Sequence, residues 1–164
     1  MQSPCLQVQA DNPGGTHMLA AIVGGIHLLL VLALVVGILV ILLASAEQVS
    51  AQDLLAIQRV YKLTGVLLVL VAIAGLILWL WVGKPAAFYS NNPVFHAKLG
   101  LFLLLGALFS YNAYRVHHLP GTHTTDPDAL IPLGNTHRRL QKALIPLLIA
   151  IPVLAYLMAR GIGY

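Results

Sequence analysis

The sequence predicts an all-α integral membrane protein, a four-helix bundle running up-down-up-down. Three observations carry that reading: 59% of the residues are hydrophobic, only 9% are charged, and the apolar residues gather into four stretches of membrane-crossing length. A soluble domain of this size carries roughly 25% charged residues. The mean hydropathy of +0.88 agrees. A chain of 164 residues fits one compact domain. The net charge of +4 does not point to nucleic acid, because the basic residues lie at span ends, where topology and lipid headgroups explain them. Cys5 is the sole cysteine, which excludes an intrachain disulfide and any cysteine-based cluster.

Residues 1–17 read as a polar N-terminal segment and 18–164 as the transmembrane domain. The first sixteen residues hold no Lys or Arg, so they lack the basic start of a secretory signal, and the first apolar run is expected to be retained. The spans are expected at 18–44, 60–82, 93–116 and 140–159. Each is near the ~20 residues a helix needs to cross hydrocarbon. In lipid the backbone must satisfy its own hydrogen bonds, which a helix does internally. Short connections then make neighbouring helices antiparallel.

Local signals mark the ends. Ser50, Ala51, Gln52 and Asp53 interrupt the first apolar run, and an amphipathic lead-in over 53–59 can begin the second helix early. Gly83, Lys84 and Pro85 end the second span. Asn92 reads as an N-cap and Pro93 as the first helical residue, since proline has no amide hydrogen to lose there. His96 therefore falls in the first turn of the third helix. The 119–134 loop carries three prolines and two glycines and is expected to be irregular. Pro146 and Pro152 are expected to bend the fourth helix. Gly65, Ala72 and Gly75 form a packing seam on the second, and Trp79 and Trp81 look like interface anchors.

Charge counting orients the bundle. Arg59, Lys62, Arg115, Arg138, Arg139 and Lys142 lie at one end, and Lys84, Lys98 and Arg160 at the other. The positive-inside rule puts the first group in the cytoplasm. In a bacterium the chain would then cross the inner membrane several times with both termini periplasmic.

An ionisable residue inside a span is a functional-site hypothesis by default. His27 lies within the first span and His96 at the mouth of the third. Two neutral imidazoles from facing helices can ligate haem iron, with the bundle holding the porphyrin. The alternative is that each ring hydrogen-bonds a neighbouring helix. Positions 96, 100, 103, 107, 110, 111 and 114 share one helix face and read His, Gly, Leu, Ala, Ser, Tyr, Tyr. This stripe is expected to face the bundle interior, leaving room for a helix or a flat cofactor. Lys98 points almost opposite to His96; it either snorkels to the interface or, with Lys84 or Tyr89, receives a carboxylate such as a porphyrin propionate. A weaker metal candidate is the set His117, His118, His123 and His137 near one loop, with Asp126 and Asp128, since imidazole and carboxylate suit zinc or copper. No acidic residue lies inside the spans, which argues against a proton pump or cation transporter.

From about residue 18 onward the chain resembles a bacterial membrane family, domain of unknown function 2214. The matching features are His27, Arg59 to Gly65, Gly-Lys-Pro-Ala-Ala-Phe-Tyr (83–89), Asn92-Pro93-Val94-Phe95-His96-Ala97-Lys98-Leu99, and Met-Ala-Arg-Gly-Ile-Gly (158–163). More distantly, a first-span histidine with His-x-Lys-Leu opening the third span is similar to HemJ-type protoporphyrinogen oxidases and CopD-like copper-resistance membrane proteins. The HemJ resemblance implies haem b, with His27 as a ligand and His96 and Lys98 at the haem or substrate site. Val94-Phe95 stand where that type has Trp-Leu, and the histidine-rich loop is not typical of it.

These readings converge on a membrane redox protein holding haem b, working by electron transfer or by oxidation of a hydrophobic or porphyrin substrate, in contact with the lipid bilayer and a membrane redox partner. The alternatives are copper or other metal-ion handling, and a non-catalytic subunit that packs against partner proteins.

Overall fold

Four long helices and one short ribbon are formed by the described residues. The computed structural model describes residues 13–82, 89–119, 126 and 128–161. Helix α1 spans Pro13–Ala44, α2 Ala51–Ile77, α3 Pro93–His117 and α4 Gly134–Ala159. Each contains a segment long and apolar enough to cross a membrane. Their outward surfaces are aliphatic: Leu43 is 87% exposed and Leu63 is 67% exposed. Such surfaces suit lipid and not water, which gives the chain its place as an integral membrane protein.

Strands β1 (Gln48–Ser50) and β2 (Leu130–Pro132) pair antiparallel where α1 turns into α2 and where the loop after α3 enters α4. Val49 faces Ile131 across the ladder, and both are buried. The backbone bonds Ala51 N to Ala129 O and Leu133 N to Glu47 O extend the ribbon on either side. The loop expected to be irregular thus holds a strand; three residues with one inward side chain leave no periodic signal.

The helix ends follow local chemistry. Ser50 caps α2: its Oγ accepts from Asp53 N at 3.1 Å and donates to Asp53 Oδ2 at 2.8 Å. The α2 helix starts at Ala51, so the amphipathic lead-in belongs to the helix. Asn92 caps α3, its Oδ1 accepting from Val94 N at 2.8 Å, with Pro93 in the first turn. At its far end α2 loosens into a π-helical turn, Leu78–Val82, which contains Trp79 and Trp81. The α4 helix continues through Pro146 and Pro152.

The packing is uneven in two ways. Helix α1 lies along α2 and α3 along α4, whereas the two hairpins meet lightly, chiefly through α2 and α3. The core is also concentrated toward the ribbon. Leu34, Ile38 and Ile41 of α1, Leu54, Ile57 and Tyr61 of α2, Leu105, Phe109 and Val116 of α3, and Leu144 and Leu147 of α4 are all buried there. By contrast, no side chain of α1 from Met18 to Ala33 is buried. The hairpins are clasped at the ribbon end and lie more loosely together at the other, here called the far end.

The tightest helix approach is at Gly37 of α1. A Cβ there would stand 2.5 Å from Thr64 Oγ1 and 3.2 Å from its Cγ2. Both branches of the threonine block the space, so rotating it gives little relief. Gly37→Val is expected to destabilise the α1–α2 pair by about 1–3 kcal/mol, the usual cost of overpacking, read as a lower unfolding midpoint in detergent.

Candidate functional site

His27 sits on the inward stripe of α1 that continues through Leu34, Ile38 and Ile41, at helical spacing. It faces α2 where that helix has glycine: a Cβ on Gly75 would lie 3.3 Å from His27 Cε1. Nδ1 is enclosed and has no partner. That nitrogen lies in an apolar seam, on the ring edge turned toward Gly75.

The first turns of α3 complete the far end. Phe95 is buried and gathers its neighbours: Trp79 at 4.9 Å between ring centroids, Tyr89 at 5.5 Å and Lys98 Nζ at 5.5 Å from the ring centroid. Lys98 is half-buried and lies within electrostatic reach of His27. Asn92 is 0% exposed. Its Nδ2 and the Trp79 Nε1 are both buried without partners. Lys98, Trp79 and Tyr89 thus come together around Phe95, with His27 nearby. Lys84, expected beside them, lies outside the described residues.

His96 is placed differently from the expectation. It is exposed, and its Nδ1 donates to Asn92 O at 3.0 Å within its own helix. The rest of the small and polar stripe follows it outward: Gly100, Leu103, Ala107, Ser110, Tyr111 and Tyr114 are all exposed. The expectation that this stripe faces the interior is corrected. The inward face instead carries Phe95, Lys98, Phe102, Leu105, Phe109, Asn112 and Val116, at steps of three and four. Large rings gain more from burial than glycine and alanine do, and they set the rotation of the helix. Lys98 is on the inward stripe and His96 is not, so His27 and His96 do not share a face.

At the ribbon end the histidines also separate. His118 is exposed, its ring Nδ1 bonded to Tyr114 O at 2.8 Å, and His117 is half-buried. His123 lies outside the described residues. His137 is buried in the core at 2% exposure, away from the loop. Among the described residues no group of three or more His, Cys, Asp and Glu side chains is arranged to hold a metal ion.

His137 belongs to a buried polar chain that sequence reading did not assemble. Asn112 Nδ2 donates to Tyr61 Oη at 2.9 Å. The Asn112 Oδ1 must then be the acceptor for His137 Nδ1, 2.8 Å away, which fixes a proton on that nitrogen. One turn along α4 from His137, Gln141 Nε2 donates to Ile41 O of α1 at 3.4 Å. These hydrogen bonds tie α4 to α3 and α1, and α3 to α2. The signal was present as one or two polar residues per span, at Tyr61, Asn112, His137 and Gln141, but not which of them meet.

The model of the family described as a predicted membrane protein, DUF2214, matches residues 19–163. No curated protein and no solved structure matches the chain.

Proposed function

The chain belongs to the DUF2214 family of predicted membrane proteins, and we propose that it is a membrane redox protein carrying haem b in the far-end seam. The observation that carries this reading is the unpaired, enclosed Nδ1 of His27, on the inward face of a span. A buried imidazole nitrogen without a partner is costly in an apolar medium, and ligation of iron satisfies it. Loose packing between the hairpins suits a flat group more than a sealed core does. Haem would supply one-electron chemistry, while the protein sets ligation, dielectric and access.

His27 would then ligate the iron from within the chain. His96, on the opposite side of α3, is reserved for contacts outside it. Among the described residues, six basic side chains at the ribbon end against Lys98 and Arg160 at the far end support a cytoplasmic ribbon and a periplasmic far end in a bacterial inner membrane. Electron transfer to a membrane partner, or oxidation of a hydrophobic or porphyrin substrate, would take place near the outer leaflet.

A second reading rests on the outward stripe of α3. His96, Ser110, Tyr111 and Tyr114 are polar groups on an exposed span face, which supports a subunit that packs against another membrane protein. One experiment separates the two. The protein is expressed with ample haem supply, purified in mild detergent, and its oxidised and reduced absorption spectra are recorded. One haem per chain is the expected result. A colourless protein that copurifies with another membrane protein would favour the second reading and refute the first.

A further inference from the structure

We propose that the far end also binds the anionic oxygens of an apolar-tailed ligand, a carboxylate or a phosphate, through Lys98, Trp79 and Asn92. The proposal goes beyond the haem reading, because it rests on the hydrogen-bond inventory around Phe95 and not on His27.

That inventory is one-sided. Trp79 Nε1 is a donor only, and it is buried with no partner. Asn92 is 0% exposed; its Oδ1 is used in capping Val94, while its Nδ2 has no partner. Lys98 adds an ammonium 5.5 Å from the centre of the Phe95 ring, and Trp79 stacks 4.9 Å from that ring. Asn92 is joined to the same residue through Phe95 N and Asn92 O, 3.1 Å apart. Two orphaned donors and a cation therefore surround one aromatic side chain. No acceptor answers them: Glu47, Asp53, Asp126 and Asp128 are at or beyond the ribbon end, so among the described residues the far end holds no carboxylate. Asn92 also caps the N-terminus of α3, where the helix dipole favours negative charge.

Each unpaired buried donor costs free energy that an acceptor would recover. The complementary group is acceptor-only and negatively charged, which describes a carboxylate or a phosphate. The lipid-facing surroundings of the helices select a molecule whose remainder is apolar. A fatty-acid-like carboxylate and a phospholipid-like phosphate share this chemistry.

The test is ligand-induced thermal stabilisation of the purified protein in a nonionic detergent, whether or not it carries haem. Decanoate, decyl phosphate, decanol, acetate and inorganic phosphate are titrated separately. Decanoate or decyl phosphate is expected to raise the unfolding midpoint, and whichever does so identifies the headgroup; decanol, acetate and inorganic phosphate are not. Lys98→Gln is expected to weaken binding about tenfold, the size of one lost charge-assisted hydrogen bond, whereas Lys98→Arg keeps it. Trp79→Phe, which keeps the ring and loses the N–H, is expected to weaken it severalfold. Equal stabilisation by decanol, or undiminished binding in a folded Lys98→Gln, would overturn the proposal. A response to acetate or inorganic phosphate as strong as to the decyl compounds would overturn its apolar tail. Missing haem leaves every one of these outcomes readable, so the two proposals fail separately.

Discussion

His27→Ala is expected to insert in the membrane, purify as a folded protein and lose its haem, while His96→Ala keeps a wild-type spectrum. The asymmetry follows from where the two rings point. His27 holds an unpaired Nδ1 inside the α1–α2 seam, and its loss removes the ligand atom itself. Deleting His27 also leaves little behind to destabilise the bundle, because it is only half-buried and faces a glycine. His96 is exposed and bonded within its own helix, so its removal costs at most one local contact. Haem content per chain, measured on matched preparations, decides the point. Loss of haem in both variants would restore a two-histidine site, which requires α3 to rotate relative to its position here.

The second large effect is expected at the opposite end, in Asn112→Leu. Leucine keeps the branching and heavy-atom number of asparagine with bulkier methyl groups, so the lost hydrogen bonds are joined by some overpacking. His137 Nδ1 and Tyr61 Oη each lose a partner within a core where Asn112 is 0% exposed and His137 2% exposed. An abandoned buried polar group costs ~1–3 kcal/mol. In membrane proteins the unfolded state also finds partners, so single interhelical bonds measure nearer ~0.6 kcal/mol. With two groups abandoned, a loss of about 1–3 kcal/mol is expected, read as a lower unfolding midpoint under added denaturing detergent. Lys142→Ala, at an exposed position on α4, should stay within about 0.5 kcal/mol. A variant as stable as wild type would mean that the polar chain does not clasp the hairpins. Haem content gives a second readout: the clasp is remote from His27, so Asn112→Leu should weaken the bundle without removing the ligand.

The sequence carried the membrane architecture because hydropathy over twenty residues is a strong signal that tertiary contacts do not override. The α3 start was equally legible, since Asn92 and Pro93 act through local geometry alone. Helix rotation was harder. Two stripes on α3 compete, one of His96, Gly100 and Ala107 and one of Phe95, Leu105, Phe109 and Asn112. Reading small and polar residues as inward chose the wrong one. In lipid both faces are apolar enough to be plausible, so hydropathy cannot choose; the volume of the buried rings does. Lys98, a candidate from the sequence because it points away from His96, shares the Phe95 stripe. The polar clasp was invisible for a different reason: its members are isolated in sequence and meet only when four helices are assembled. His137 was grouped with His117, His118 and His123 by proximity in sequence, yet the helix begins at Gly134 and carries it into the core.

The most direct test of the account is the ferric electron paramagnetic resonance spectrum of the haem-loaded protein, recorded beside that of His96→Ala. If His27 alone ligates the iron from this chain, the two spectra are the same and neither shows bis-histidine ligation. A low-spin bis-histidine signal in the wild type that disappears in His96→Ala would contradict the account.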